Sequence, residues 1–230
     1  MRTLLFPLIV GLGGIAILLS LANWQMDRLA WKEDILANIT SKLDAPAVPL
    51  MERPDPELDN YRSVIFEGQP TGEELRVLDS GTAAGTGHHI ISAFETTDGR
   101  RVMVDQGLLG INDADAQAMA PMIETITVQG NLIWPDDPDT QPAQGDEWYT
   151  RDVDAMALVL NTEPMLIQLS AASQYDPRLI PLAVDIRNIK NDHLEYAITW
   201  LLLAVVWGAM TMFYIARAMR QTRPNTEKED

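Results

Sequence analysis

The segment Asn191-Asp192-His193-Leu194-Glu195-Tyr196-Ala197-Ile198-Thr199-Trp200 runs without a break into 201–216, and no residue from Tyr196 to Ala216 is charged. Twenty-one uncharged residues in a helix rising about 1.5 Å per residue cover about 30 Å, the thickness of a bilayer's hydrocarbon core. The spacing predicts a membrane-spanning helix over 196–216. His193 stands one turn ahead of it, and at helical spacing His193, Ala197 and Trp200 share a face at i, i+4 and i+7. Two readings of this histidine stand side by side. It is a polar interfacial residue in the company of the belt residues Tyr196 and Trp200, or it is a metal or haem ligand, the commonest specialised use of a neutral imidazole.

A second uncharged run lies at the other end of the chain, between Arg2 and Asp27, and predicts a span over 4–26. Ser20-Leu21-Ala22 offers a signal-peptidase-like site, but a signal's apolar region is about 7–15 residues behind a basic start. Here one arginine precedes a longer run, which favours an anchor. Trp24, Arg28 and Trp31 fall on one helical face at i, i+4 and i+7, so an arginine flanked by indoles leaves the membrane as a stripe; by itself this describes an interfacial anchor.

Between the spans, 27–195 reads as one domain. It holds thirty of the chain's 33 carboxylates against twelve lysines and arginines. That balance excludes nucleic acid as a partner, since phosphate binding needs a basic face. The chain has no cysteine, which excludes disulfides, thiolate metal sites and covalent Cys-x-x-Cys-His haem attachment. Arg217, Arg220 and Arg223 flank the second span on one side, and Arg178, Arg187 and Lys190 on the other, so the positive-inside rule does not orient it.

Helical periodicity continues from Trp31 to Leu43, after which Pro46, Pro49, Pro54 and Pro56 impose an extended linker. Strand-like runs follow at Tyr61–Glu67, Leu75–Leu78, His89–Phe94, Arg101–Leu109 and Ile123–Leu132, with closing strands at Met165–Leu169 and Leu182–Ile186. Asp98-Gly99 suits a type I′ hairpin. Asp152 is placed to cap a short helix through Leu160. The fold class is therefore a membrane protein, with two transmembrane helices flanking an α+β domain whose sheet is mainly antiparallel.

Other candidate chemistry is thin. Gly81-Thr82-Ala83-Ala84-Gly85-Thr86-Gly87 lacks the Gly-Lys-Ser/Thr of a phosphate loop and reads as a hairpin connection. His88 and His89 are strand neighbours that point to opposite faces, so at most one of them enters any given metal site. Asp136, Asp137 and Asp139 lack the glycine and distal glutamate of a calcium loop. No nucleophile elbow, zinc motif or paired acid and base marks an enzyme.

Leu21-Ala22-Asn23-Trp24-Gln25-x-x-Arg28-x-x-Trp31-Lys32 and Asn191-Asp192-His193-Leu194-x-Tyr196-Ala197-x-Thr199-Trp200 resemble the two membrane junctions of the Surfeit-locus-one family of cytochrome c oxidase assembly factors. Trp148-Tyr149-Thr150-Arg151-Asp152 is similar to a further family segment, so the resemblance covers almost the whole chain. The family's first junction usually carries glycine where this chain has Asn23, and the second reads Asn-Asn-His-Leu, from which Asp192 departs. The largest departure is Val104-Asp105-Gln106-Gly107-Leu108-Leu109-Gly110, where the family shows Val-Asn-Arg-Gly-Trp-Val-Pro.

The resemblance implies a bacterial inner-membrane protein whose domain at 27–195 is extracytoplasmic, in the periplasm, and whose tail at 217–230 is cytoplasmic. It implies haem a as transient cargo, oxidase subunit I as recipient and haem a synthase as a further partner. His193 is then the axial ligand, with Trp24, Arg28, Tyr196, Trp200 and Arg187 around the bound group. Arg28, Arg187 or Lys190 would pair with the propionates by charge-assisted hydrogen bonds. Two other readings compete. One is a structural clamp on subunit I that never ligates haem, for which Ala204-x-x-x-Gly208 gives close helix packing a foothold. The other is a periplasmic ligand sensor, for which the 14 residues from Arg217 to Asp230 leave little room for an output module.

Overall fold

The computed structural model describes residues 2–82, 84–113, 124–135, 147–172, 176–182, 184, 186 and 189–221. They divide into two compact units, Met1–Ala37 with Arg187–Asp230, and Asn38–Ile186.

The first unit is built from two long helices, α1 (Arg2–Leu43) and α3 (His193–Gln221). Both are long and apolar enough to cross a membrane. Their leucines, isoleucines, valines and aromatics are largely exposed, which water would penalise and lipid does not. The chain is a membrane protein. On α1 the covered positions recur at Gly11, Gly14, Leu18, Ala22, Gln25, Leu29 and Lys32, and on α3 at His193, Ala197, Trp200, Ala204, Gly208, Thr211 and Ile215. The period is close to 3.5, the stripe that two helices present to each other. Small residues set the approach: a Cβ added at Gly11 would lie 2.2 Å from Thr211 Cγ2. Ala204 and Gly208 of the small-residue motif lie on this stripe, with Gly208 facing Ile15.

In the second unit the strands are β1 (Val48–Pro49), β2 (Ser63–Thr82), β3 (Gly85–Thr96), β4 (Arg101–Gly110), β5 (Ile126–Ile133), β6 (Glu147–Trp148), β7 (Leu166–Ala172) and β8 (Leu179–Ile180). One helix, α2 (Val153–Leu160), lies between β6 and β7. Antiparallel β2–β3–β4, parallel β4–β7 and antiparallel β7–β5 are closed by an antiparallel β5–β2 pairing, so five strands form a ring. Side-chain alternation gives each face its own core. Val64, Phe66, Phe94, Val102, Val128 and Ile167 pack together on the inner face. Val77, Ile91, Met103 and Leu166 on the outer face pack against Met156 and Leu160 of α2. The α+β class and the mostly antiparallel sheet match the sequence reading.

Local chemistry explains most of the elements. The Asp152 carboxylate accepts the Ala155 N–H at 3.0 Å, capping α2 as expected. Asn161 ends the helix in the left-handed region, at φ 49°. At the β3–β4 hairpin Gly99 takes φ 83° but Asp98 is not at positive φ, so the turn is not type I′. The Gly99 N–H bonds to the Thr96 carbonyl, and Arg100 and Thr96 bond each other across the turn, a three-residue loop with glycine in the left-handed position.

Two strand readings are corrected. The runs expected at Tyr61–Glu67 and Leu75–Leu78 merge into one strand, β2, which starts only at Ser63, because a register shift between Pro70 and Glu74 absorbs the proline without ending the ladder. Leu182, Val184 and Ile186 are in no strand. The short pairing is instead β8 against β4, and it stops at Pro181, which has no N–H to donate. The acidic run at Asp136, Asp137 and Asp139 lies outside the described residues.

Candidate functional site

In the helical unit, α3 begins at His193, and the Asp192 carbonyl accepts the Tyr196 N–H at 3.2 Å. The imidazole heads the covered stripe, where Ala197 is buried and Trp200 partly covered. The i, i+4, i+7 face read from the sequence is therefore the face that α3 turns toward α1. Its partner there is Gln25, whose side chain is only 9% exposed. Gln25 Oε1 and His193 Nδ1 are 2.8 Å apart. Among the described residues Nε2 makes no hydrogen bond, so one ring nitrogen is engaged and the other is not. Lys32 Nζ donates to the Lys190 carbonyl, a second tie between the strand of chain entering α3 and the exit of α1.

Among the described residues, the others singled out from the sequence make no hydrogen bond to the imidazole. Trp24, Trp31 and Tyr196 are exposed. The Arg28 guanidinium sits 3.8 Å over the Trp31 ring, a cation–π contact that holds it at the junction. Asn23, which stands where the resembled family has glycine, donates to Asp27 Oδ2 at 3.2 Å. Lys190 is exposed and 3.9 Å from the Asp192 carboxylate. Arg187 lies outside the described residues. The chemistry of this donor set suits a haem: a histidine with one ring nitrogen engaged by Gln25, aromatic residues on the same two helices, and the cations Arg28 and Lys190, which can pair with carboxylates. Gln25 is the site residue that the sequence reading passed over. Its signal is position, since it is the polar member of the stripe within the uncharged run, and the stripe positions around it, Leu18, Ala22 and Leu29, are apolar.

The domain unit holds a second constellation. Val77, Asp79, His89 and Asp105 project from β2, β3 and β4 on the outer face; Val77 is directly opposite His89, and Asp79 is two positions along, opposite Gly87. His89 is 3% exposed and lies between two carboxylates, with Nδ1 2.8 Å from Asp105 Oδ2 and Nε2 3.3 Å from Asp79 Oδ2. Arg151 Nη1 is 3.9 Å from Asp105 Oδ2. Burial pulls the His89 pKa down, but the hydrogen bond and charge of Asp105, with Asp79 behind it, outweigh both burial and Arg151, and the net direction is up. Asp79, Ser80, His89, Tyr149 and Arg151 line a polar cavity of about 250 Å³. His88 and His89 are both buried in β3, and His89 is the member that enters this cluster.

Comparison with known proteins agrees with the junctions. The SURF1 family model matches residues 12–205. Surfeit locus protein 1 of Mus musculus is 25% identical over 206 residues, covering 78% of this chain and 66% of that protein. The Homo sapiens protein of the same name is 27% identical over 213 residues, with 78% and 68% covered. A SURF1-like protein of Rickettsia felis is 29% identical over 207 residues, covering 82% of this chain and 88% of the relative. The chain thus spans about two thirds of the mammalian relatives and most of the bacterial one. With a match over that extent, taking in part of each apolar helix and the histidine that opens the second, the chain belongs to the SURF1 family, the family of cytochrome oxidase assembly factors that its membrane junctions resemble.

Proposed function

We propose that the protein is an assembly factor for a haem-copper terminal oxidase that holds haem a at the membrane interface and assists its transfer into subunit I. The observation that carries this reading is His193, at the head of an apolar helix, with Nδ1 occupied by Gln25 and Nε2 free among the described residues. Haem a joins a lipid-seeking isoprenoid tail to two propionates that seek water, so its stable depth is the interface where His193 lies. Bound there, the group would take Nε2 of neutral His193 as axial ligand. Arg28 and Lys190, which the structure leaves at the surface of the helical unit, are the cations available for propionates, and Arg187 is the further candidate from the sequence.

One axial imidazole and interfacial ion pairs suit a carrier, which has to release what it binds. The chain is asked for no bond-making step. In this reading both apolar helices cross the inner membrane, the domain faces the periplasm and haem a synthase supplies the cargo.

The test is the optical spectrum of protein purified from cells that make haem a. Wild type is expected to carry a Soret band that His193→Ala abolishes or shifts. Insertion should be unaffected, because the substituted residue lies outside the uncharged 196–216 run. An unchanged spectrum and affinity in His193→Ala would remove the ligand assignment and favour a structural clamp on subunit I.

A further inference from the structure

We propose that Gln25 is a positioning residue that fixes the tautomer of His193, so that the histidine can ligate only while the two long helices are paired. The inference rests on the haem-carrier reading for its purpose and on geometry for its substance. Gln25 Oε1 is 2.8 Å from His193 Nδ1. An amide oxygen has no proton to give and can only accept. Nδ1 must therefore carry the hydrogen, and in a neutral ring the lone pair then resides on Nε2. Which nitrogen of a histidine is protonated is set by the bond its other nitrogen makes. A ligating histidine almost always gives its second N–H to such an acceptor, which also fixes the plane of the ring.

Burial makes the contact selective. Gln25 is one of the few polar side chains that the structure buries, at 9% exposure. It lies on the stripe with Gly11, Gly14 and Ala22, the stripe that α1 turns toward α3. A buried amide without a partner is unfavourable, so the oxygen is committed to the imidazole and not shared with solvent. The two residues are 168 apart in sequence and come from different helices. Separation of the helices removes the acceptor and frees the ring to exchange tautomers. The acceptor is a neutral amide, which orients the imidazole without the stronger push toward the metal that a carboxylate in the same place would give. That matches a ligand that must let go.

Nitrogen-15 NMR of the histidine ring reads the tautomer with no haem present. It is applied to the full chain in lipid nanodiscs at a pH where His193 is neutral, and His193→Ala identifies the signal among the three histidines. Wild type is expected to show protonated Nδ1 and unprotonated Nε2. Gln25→Met, which keeps length and loses the acceptor, should move the ring toward the Nε2–H form; Gln25→Glu, which restores an acceptor oxygen, should keep Nδ1–H. With haem a added, Gln25→Met should bind about 10–100-fold more weakly, and Gln25→Glu no more weakly than wild type. Unprotonated Nδ1 in wild type, or an unchanged tautomer in Gln25→Met, overturns the proposal whatever haem does. If wild type shows the expected tautomer but takes up no haem a, the positioning role stands and the carrier reading falls.

Discussion

Asp105→Asn tests the buried cluster of the domain most directly. Asp105 is 1% exposed. Its Oδ1 accepts the Gly107 N–H at 3.0 Å, while Oδ2 faces His89 Nδ1 at 2.8 Å. Asparagine can keep the first bond only by turning its NH₂ toward His89, where it meets the Nδ1–H of the protonated ring donor to donor. Breaking one partner out of a buried ion pair costs about 3–5 kcal/mol. Asp79, 3.3 Å from the other ring nitrogen, still offsets part of the charge, which puts the expected loss near the lower end, about 3 kcal/mol. At about 2–4 °C per kcal/mol for a chain of this size, Tm should fall by about 6–12 °C.

The pH dependence sharpens the test. The folded pKa of His89 is raised above its unfolded value. Its stabilisation is therefore complete below about pH 6.5 and is lost as pH rises through the folded pKa. Thermal melts of the full chain in detergent, followed by circular dichroism from about pH 6 to about pH 9, should show wild type losing stability toward alkaline pH. Asp105→Asn should be lower at the acid end and flatter across the range. Melting within about 2 °C of wild type at the acid end, below the loss any intact buried pair would give, would refute the assignment of the pair as stabilising.

Gly11→Ala should weaken the pairing of the long helices, because its Cβ would meet Thr211 Cγ2 at 2.2 Å, whereas Gly13→Ala, with nothing within 4 Å, should not. The readout is the distance between spin labels at Ile9 and Met212; equal distributions in both variants would count against the observed stripe. Met156→Ala, at a fully buried side chain on the inward face of α2, should lower domain stability by about 2–5 kcal/mol in urea unfolding, and a loss under about 1 kcal/mol would mean the site collapses around the gap. For topology, a reporter active only outside the cytoplasm should be active when fused after Pro70 and silent when fused after Asp230. Activity at both would show that one of the helices does not cross.

The parts legible in the sequence were those written in local pattern. Two uncharged runs, a glycine at a hairpin and an aspartate three residues ahead of an N–H it can accept all act over a few residues, and the structure contains each. The closure of the ring was not legible, since the apolar pattern of a strand shows which of its faces are buried but not which strand lies beside it. Pro70 and Gly72 read as an interruption because a bulge is recognised only when the partner strand is known. The two polar constellations share that difficulty. His89 and Asp105 are 16 residues apart, and Gln25 and His193 are 168 apart. Neither spacing has a period, and in both a residue of ordinary appearance takes its role from the neighbour that folding supplies. At the junctions the resemblance to a family carried the histidine, while Gln25, quoted in the motif of the other junction, had no role until the helices were placed together.

The double duty of β2 bears on the order in which the domain can fold. Its second half pairs with β3, which follows immediately, but its first half pairs with β5, so that Val64 waits for Gly130. As the chain emerges, β2, β3 and β4 can zip together at once with short loops to close. Ser63–Gly68 meanwhile presents an unsatisfied edge until β5 arrives. Closing a loop of that length is the slow step expected of a sheet with non-local pairing. The interval between the two events is when the nascent domain is most exposed to mispairing, and a substitution in β5 should therefore lower the yield of folded protein by more than its effect on the finished ring would suggest.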